Sequence, residues 1–429
     1  MNRGNSHLTE KIFILFFCLL LSFVPISWIF LPQNQTSFSE SENRFLNNFP
    51  TLDLGSLRRG INELLSGDFR TAYRSIFING FSSEYFADLK AAASDQLPFR
   101  LPLATFARWV ERKQINVIYG LLPDPAFPAS LGQNYLILRG DKQVYIQPPA
   151  SWDDARRELI DNRISNYQLI IDSYPEINFF VFYLERMAFS PYNPMNSFFP
   201  KADKGQSFDY FLSRKPDELT VAYLRLDGLE EHQQNFYRTD HHWNIRGAWA
   251  GYEIIYDMIK ARVPELSPRL TLSEFVQIEG VEFCGSYARR TLYPCQPDIF
   301  EYADVDLPPF RTYMNGVESP RSNRNAYFRG EFNRNRYTEH YAEFFGYVTA
   351  LVEYDFDNLS DRNLLIIGGS YTQAMQEFIA AHFDKTFIVD LREYEDFSLG
   401  KFINDHQIDD VIVIGDVIVY SREGWQINP

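Results

Sequence analysis

The amino-acid sequence predicts an α/β protein with a doubly wound, mostly parallel sheet and helices on both faces. Near the carboxyl terminus, three apolar, strand-like runs at 364–367, 386–389 and 411–414 alternate with two helical patterns. Strands separated by helices need crossover connections, which align the strands in parallel. A further apolar run at 177–183 is nearly continuous, as in a strand buried on both faces of a sheet.

The length and composition of the chain limit the classes of protein to which it can belong. With 429 residues, of which 45% are hydrophobic, the chain can form one large α/β domain or a domain with an accessory part. The 41 basic and 56 acidic residues give a net charge of −15, which argues against a nucleic-acid partner. Aromatic residues make up 16% of the chain, and exposed aromatic faces suit sugar rings.

The amino terminus carries a localisation signal. Residues 12–31 form an uncharged, apolar run of 20 residues, which is about the length that spans a bilayer. Arg3 and Lys11 precede this run. Glu40 and Glu42 follow it, and the asymmetry of charge predicts a protein body outside the cytoplasm. The run predicts an uncleaved membrane anchor, with a cleaved signal peptide as the alternative because a few polar residues interrupt it.

The predicted anchor, residues 1–32, leads into a polar linker and an N-terminal accessory part, residues 33–150. The patterns within this part predict helices near 57–65, 85–93 and 103–114, and strands near 115–119 and 135–138. The apolar residues of the third helix share one face, which predicts that this face packs against a core.

Residues 151–429 are predicted to form the main domain. Its first elements are a long helix with a capping-box-like start at Ser151 and Asp154, strands at 177–183 and 221–226, and a helix from about residue 244. From 271 to 348 the pattern weakens, which favours a lid-like insertion over a separate domain.

The chain has 3 cysteines, of which Cys18 lies in the apolar run. Cys284 and Cys295 bracket a loop within the predicted insertion. Outside the cytoplasm such a pair can close a disulfide, and the sequence leaves open whether the geometry permits one. No CxxC motif or clustered Cys/His spacing occurs, so the sequence predicts no structural zinc site.

The stretch 238–244 contains the adjacent histidines His241 and His242, two of the 7 in the chain. They directly follow Asp240 and precede Trp243. An imidazole beside a carboxylate is the usual way to make a general base near neutral pH. The alternatives are a structural hydrogen bond and a bound metal, although the other histidines are too scattered to complete a typical metal site.

Ser370 is the candidate nucleophile. It follows a buried strand and two glycines, Gly368 and Gly369, which allow a tight turn that exposes the hydroxyl. The helix predicted after it would offer backbone N–H groups and a positive dipole to a developing oxyanion. The structural alternative is an ordinary helix N-cap. Asp390 and Asp416 follow the next two strands, and sites in doubly wound sheets lie beyond such carboxyl ends.

The segment Thr239-Asp240-His241-His242-Trp243-Asn244, followed by Gly247-Ala248, resembles the signature of the bacterial DHHW family. That family is similar to the alginate O-acetylation proteins, which have an SGNH-hydrolase-like fold. The resemblance implies a triad of Asp240 as the orienting acid, His242 as the base and Ser370 as the nucleophile. It covers most of the chain, because similar segments occur in the same order at 41–44, 389–392 and 409–412.

Two positions depart from the family pattern. Gly369 stands where the family has an aspartate before the serine. Glu393 separates Arg392 from Tyr394, which are adjacent in the family. The candidates for binding the oxyanion or the substrate are Gly369, Tyr371, Arg392, His241 and Trp243.

The resemblance implies an extracytoplasmic O-acetyltransferase or acetylesterase that acts on a cell-envelope or exported polysaccharide through an acyl-enzyme. The apolar run predicts a single-pass protein of the bacterial cell membrane, facing the periplasm or cell surface. The resemblance implies a membrane-bound O-acyltransferase as its partner. No metal or cofactor is expected besides an acetyl donor. The alternatives are a non-catalytic polysaccharide-binding or assembly protein with the same fold, and a metal-dependent hydrolase that uses the Asp-His-His group.

Overall fold

The computed structural model describes residues 38–39, 44–51, 53–76, 83–97, 100–121, 135–138, 143–319, 322–356 and 360–416. Within these ranges no helix is long and apolar enough to cross a membrane. The apolar run at 12–31 and positions 41–43 lie outside the described residues, so the anchor stays a prediction. The chain divides into two compact units, residues 1–113 and residues 114–429.

The described part of the first unit is mainly helical. Its elements are β1 (Phe38–Ser39), β2 (Arg44–Phe45), α1 (Leu54–Leu65), α2 (Phe69–Tyr73), α3 (Ser83–Asp95) and α4 (Arg100–Leu121), the last of which runs past residue 113. Asp53 caps α1, because its carboxylate accepts a hydrogen bond from the Ser56 N–H at 3.0 Å. The strand predicted at 115–119 is wrong, since these residues continue α4. A short run of β-branched and aromatic residues fits either periodicity.

The second unit begins with a hairpin and a long helix, β3 (Leu136–Leu138), β4 (Val144–Ile146) and α5 (Asp154–Ser173). The N-cap of α5 differs from the predicted one. Asp153, and not Ser151, caps it by accepting a hydrogen bond from the Arg156 N–H at 3.0 Å.

The remaining strands are β5 (Asn178–Leu184), β6 (Thr220–Leu224), β7 (Leu272–Gln277), β8 (Glu301–Val305), β9 (Arg311–Met314), β10 (Val317–Glu318), β11 (Leu351–Asp355), β12 (Asn363–Gly368), β13 (Lys385–Val389) and β14 (Asp410–Gly415). The remaining helices are α6 (Gln206–Leu212), α7 (Leu229–Asn235), α8 (Ile245–Lys260), α9 (Ser286–Thr291), α10 (Ser322–Phe328), α11 (His340–Phe345), α12 (Gln376–Ala380) and α13 (Leu399–His406).

Eight of these strands form one sheet in the order β10-β9-β11-β13-β12-β14-β5-β6. The pairs from β13 to β6 are all parallel, and β9, β10 and β11 add an antiparallel edge. The prediction of an α/β fold on a large, mostly parallel sheet is therefore confirmed. The carboxyl ends of β12, β13 and β14 meet at one edge, where Ser370, Asp390 and Asp416 follow them.

The sheet is covered on both faces because its side chains alternate between two cores. On one face, Phe180 and Ile366 pack with Tyr252 and other residues of α8. On the other face, Val181 and Ile367 pack with residues of α5 and α13. Strands β5, β12 and β14 are buried on both sides, which explains their nearly continuous apolar sequence.

The segment 271–348, predicted as a lid-like insertion, is more closely built into the fold. Its strands β9 and β10 extend the main sheet, and β7 pairs with β8 in a separate two-stranded antiparallel sheet. A disulfide joins Cys284 to Cys295 within it. Short strands with mixed burial gave this segment its weak sequence pattern.

Candidate active site

Ser370 lies directly beyond β12, in one turn of 3-10 helix formed by Ser370–Thr372. Gly368 ends the strand, and a Cβ at this position would overlap the Thr372 side chain. The helix predicted after Ser370 is present, but it begins only at Gln376 and ends at Ala380. Ser370 therefore stands on a tight 3-10 turn and not at the first residue of that helix.

Ser370, His242 and Asp240 form one chain of hydrogen bonds. The His242 Nε2 atom lies 2.7 Å from Ser370 Oγ, and His242 Nδ1 lies 2.6 Å from Asp240 Oδ1. The Ser370 hydroxyl and the His242 imidazole come from positions 128 residues apart in the sequence. The structure thus brings together the three residues predicted to form a triad, with the geometry that lets an imidazole take a proton from a hydroxyl.

The Asp240 carboxylate is held by a loop that sequence reasoning did not associate with it. Its Oδ2 atom accepts a hydrogen bond from the Ser286 N–H at 2.5 Å, and its Oδ1 atom also accepts one from the His242 N–H at 2.9 Å. A Cβ at Gly285 would overlap the Asp240 side chain. Close approach of the loop backbone to the carboxylate therefore requires glycine at this position.

A set of aromatic side chains fixes the nucleophile turn. Trp243 is 0% exposed, and its indole Nε1–H donates to the Tyr371 carbonyl at 3.0 Å. Tyr341 stacks on the His242 ring, with the two centroids 4.0 Å apart and the planes at 6°, and its hydroxyl donates to the Ser370 carbonyl at 3.0 Å. The Tyr371 hydroxyl donates to the His241 carbonyl at 2.8 Å.

These contacts place two of the predicted binding residues inside the protein. Trp243 and Tyr371 were candidates for binding the oxyanion or the substrate. The Trp243 side chain is fully buried, and the buried Tyr371 hydroxyl bonds within the protein. His241 keeps its place beside the site, because its side chain is partly exposed and its Nδ1 atom lies 2.8 Å from Ser286 Oγ.

The end of the motif has a structural purpose. The Asn244 side-chain oxygen accepts hydrogen bonds from the N–H groups of Arg246 and Gly247, at 2.9 Å and 3.0 Å, and so begins α8. A Cβ at Gly247 would overlap the carbonyl of Asn235. The segment that carries His242 is thereby joined rigidly to the start of the buried helix α8.

The protonation states suit a general base. Burial acts to raise the pKa of the Asp240 carboxyl, but the charges of His241 and His242 and their hydrogen bonds outweigh it and hold that pKa well below its usual value. Burial, with His241 beside it, lowers the pKa of the His242 imidazole to about 4 against the opposing effect of Asp240. At neutral pH the pair therefore consists of a carboxylate and a neutral imidazole.

We expect the pH dependence of ester hydrolysis to report this state. Because only neutral His242 can accept the serine proton, kcat/KM should be level through neutral pH and fall below about pH 5, as the pKa of about 4 is approached. Hydrolysis of a chromogenic acetate ester between pH 4 and pH 8 measures it. An acid limb centred near 6.5 in a folded protein would contradict this prediction.

Folding stability must be measured in parallel. Burial also lowers the pKa values of His232, His340 and His382 to about 4, from the usual 6.5. Between these two values the unfolded chain binds more protons than the folded one, so stability falls as the pH falls from 6.5 towards 4. Urea unfolding at each pH separates this loss from protonation of the base.

Arg392, a predicted substrate-binding residue, pairs with Asp390. The Arg392 Nε–H donates to Asp390 Oδ1 at 2.9 Å, and this hydrogen bond raises the pKa of Arg392. A Cβ at Gly369 would lie 3.2 Å from Arg392 Nη2. The guanidinium therefore occupies the space beside Gly369, close to the turn that carries Ser370.

Several residues of the site were not predicted from the sequence. They are Tyr341, Gly285, Ser286, and the buried ion pair between Arg186, which follows β5, and Asp416, which follows β14. Asp416 was singled out only for its place at a strand end. Strand ends could also have indicated Arg186, but Tyr341 and the 285–286 pair lie in the segment whose pattern is weak.

Asp240, His241 and His242 also form a candidate cation site. One ligand atom from each lies within 4.8 Å of the other two. However, both ring nitrogens of His242 already lie in hydrogen bonds, to Asp240 and to Ser370. A cation bound through Nδ1 would have to replace the proton that links imidazole and carboxylate, so the arrangement favours a hydrogen-bonded base.

The described residues enclose cavities at both ends of the sheet. A cavity of about 420 Å³ lies at the amino ends of β5 and β6, beside Asn178, Thr220 and Arg262, and is remote from the strand edge that carries Ser370. A smaller one, of about 20 Å³, adjoins Gly368, Gly369 and Asp390. Of these two cavities, the smaller one adjoins the turn that carries Ser370.

Two solved structures match this fold with TM-scores above 0.5. PatB1 from Bacillus cereus, in a structure with a sulfonyl adduct, matches with 16% identity and a TM-score of 0.54 over 69% of this chain and 99% of PatB1. A DHHW family protein from Eubacterium siraeum matches with 21% identity and a TM-score of 0.51 over 69% of this chain and 94% of its own. The O-acetyltransferase domain of Pseudomonas putida AlgJ matches at 8% identity, with a TM-score of 0.37, over 67% and 92%.

No protein-family model and no curated protein sequence matches this chain. The predicted resemblance to the DHHW family is confirmed by the structural matches as a likeness of fold.

Proposed function

We propose that this protein is an O-acetyltransferase or acetylesterase with a Ser-His-Asp triad on an SGNH-hydrolase-like fold. The observation that carries the proposal is the unbroken hydrogen-bond chain from Ser370 Oγ through His242 to Asp240, with links of 2.7 Å and 2.6 Å. The neutral imidazole and ionised carboxylate at neutral pH support it. A structural histidine would not need a hydroxyl placed on a tight turn beyond a strand.

In the proposed reaction, Ser370 Oγ attacks the carbonyl carbon of an acyl ester while His242 Nε2 takes its proton. The Asp240 carboxylate holds the Nδ1–H tautomer and stabilises the imidazolium. His242 then gives the proton to the leaving oxygen, and the acyl group stays on Ser370 as an ester. An acceptor hydroxyl or water attacks this ester, and the proton returns through His242 to Ser370.

The backbone N–H groups of Ser370 and Tyr371 are the proposed oxyanion donors. The first N–H groups of a helical turn have no acceptor within the turn, so they can point at developing negative charge. Gly369 leaves this turn without the aspartate of the family pattern, and the Arg392 guanidinium, paired with Asp390, lies beside the glycine.

We further propose a polysaccharide as the acceptor and a location outside the cytoplasm. The resemblance of the Asp-His-His-Trp segment to the DHHW and alginate O-acetylation proteins supports acetyl as the acyl group and a membrane-bound O-acyltransferase as its source. The apolar run at 12–31 supports a membrane anchor, and the disulfide of Cys284 with Cys295 is consistent with an oxidising compartment.

A sulfonyl fluoride tests the proposal, since such reagents label activated serines. We expect one adduct on the peptide that contains Ser370, identified by mass spectrometry, and none in Ser370→Ala. The variant Ser173→Ala, at an exposed serine that ends α5, is the matched control and should label as the wild type does. A folded wild-type protein that resists labelling and hydrolyses no acetate ester would refute the enzyme and favour the binding protein.

A further inference from the structure

A groove runs from the nucleophile turn along the antiparallel edge of the sheet. The cavity of about 20 Å³ beside Gly369 adjoins a second cavity of about 120 Å³. The two share Tyr347, Val352 and Gln376 as lining residues. The second cavity reaches Arg324, so the groove begins at the residue before Ser370 and leads away from it.

Gln373 is the first indication of a ligand in this groove. Its side chain is only 7% exposed and lines the cavity nearest the nucleophile. Its Oε1 atom is buried and has no hydrogen-bond partner among the residues that the structure describes. Buried acceptors in native proteins almost always have a partner, so this oxygen calls for a donor from outside the chain.

Tyr347 is the second indication. It lines both cavities, and it is 49% exposed. An exposed aromatic ring beside inward-facing polar groups is the usual lining of a site that takes an amphipathic ring, such as a sugar. A hydroxyl of that sugar would donate to Gln373 Oε1.

The charges around the groove indicate which sugars fit. Arg392 pairs with Asp390 at 2.9 Å, and Arg324 pairs with Glu377. Glu343 accepts a hydrogen bond from a tyrosine hydroxyl at 2.8 Å. Three carboxylates against two guanidinium groups leave no surplus of positive charge, which a polyanionic glycan would need.

We propose that this groove binds the acceptor as a neutral sugar chain, with one hydroxyl bonded to Gln373 Oε1 and a ring against Tyr347. The inference rests on the proposed function. The acceptor's hydroxyl oxygen forms the new ester bond to the acetyl carbon, and the bond from that carbon to Ser370 Oγ breaks. The acceptor proton goes to His242 and from there to Ser370. The acetyl group comes from an acetyl ester donor.

The test uses the full chain, 4-nitrophenyl acetate as the donor, and two acceptors of equal length, cellopentaose and pentagalacturonate. Mass spectrometry measures the amount of acetylated oligosaccharide, and nitrophenolate release measures the total turnover of the donor. We expect transfer to cellopentaose and at least tenfold less to pentagalacturonate. In Gln373→Leu, the ratio of transfer to hydrolysis should drop about tenfold, as for the loss of one hydrogen bond.

Two further variants make the result decisive. Tyr347→Ala, at an exposed position that tolerates truncation, should lower the same ratio, and Gln168→Leu on the exposed face of α5 should not. Equal transfer to both acceptors would overturn the charge argument. An unchanged ratio in both groove variants, or hydrolysis without any transfer, would overturn the subsite while leaving Ser370 chemistry intact. Failure of hydrolysis and of serine labelling together would instead refute the proposed function.

Discussion

Replacing Asp240 with asparagine should lower kcat for ester hydrolysis about 10⁴-fold with little change in KM. Asp240 Oδ1 lies 2.6 Å from His242 Nδ1 and fixes the tautomer in which Nε2 is free to accept the Ser370 proton. An amide at this position can donate to Nδ1, which would move the imidazole proton to Nε2 and abolish the base. Steady-state hydrolysis of a chromogenic acetate ester measures the loss.

A double variant distinguishes a shared task from separate ones. Groups that act as a unit lose activity non-additively, so Asp240→Asn with His242→Gln should be about as slow as His242→Gln alone. The matched control is Asp154→Asn, at an exposed carboxylate in the first turn of α5. Losses that multiply in the double variant would show that the two residues do not form one catalytic chain.

Gly285→Ala should reduce kcat about 100-fold without removing any atom of the triad. The φ of Gly285 is −75°, so alanine fits the backbone, but its Cβ would overlap the Asp240 side chain. The carboxylate must then move, and a displacement of about 1 Å at a catalytic group typically costs about 10² in rate. Hydrolysis rates and thermal unfolding, measured together, separate this loss from misfolding.

Ser286→Ala provides the comparison for this variant. It keeps the backbone N–H that lies 2.5 Å from Asp240 Oδ2 and removes only the hydroxyl that lies 2.8 Å from His241 Nδ1. Its effect on kcat should therefore be much smaller. If alanine at 285 leaves a folded enzyme at the wild-type rate, the loop does not position the carboxylate.

The sheet could be predicted because its central strands are buried on both faces and are therefore apolar along their length. Strands β5, β12, β13 and β14 all lie where the sequence predicts them. The strand predicted at 115–119 failed because a short apolar run fits a helix equally well. In the structure these residues are the last part of α4, which begins at Arg100.

The nucleophile turn could be located from the sequence but not described. A continuous helix after Ser370 would use the carbonyls of residues 370 and 371 as acceptors for its own N–H groups. The Ser370 carbonyl instead accepts from the Gln373 N–H, three residues on, and from the Tyr341 hydroxyl, and the Tyr371 carbonyl accepts from the Trp243 indole. Tyr341 and Trp243 come from positions 29 and 128 residues away. A local sequence pattern contains no information about such distant partners. The interruption of the helix between Thr372 and Gln376 could therefore not be predicted from the sequence.

The bond between Cys284 and Cys295 has a consequence for how the base is assembled. Cys284 directly precedes Gly285 and Ser286. The disulfide therefore anchors the backbone segment that contacts the Asp240 carboxylate. Under reducing conditions the chain would still contain Ser370 and His242. The loop whose Ser286 N–H binds the Asp240 carboxylate would lack its crosslink. Oxidation of the two cysteines would then complete the assembly of the site.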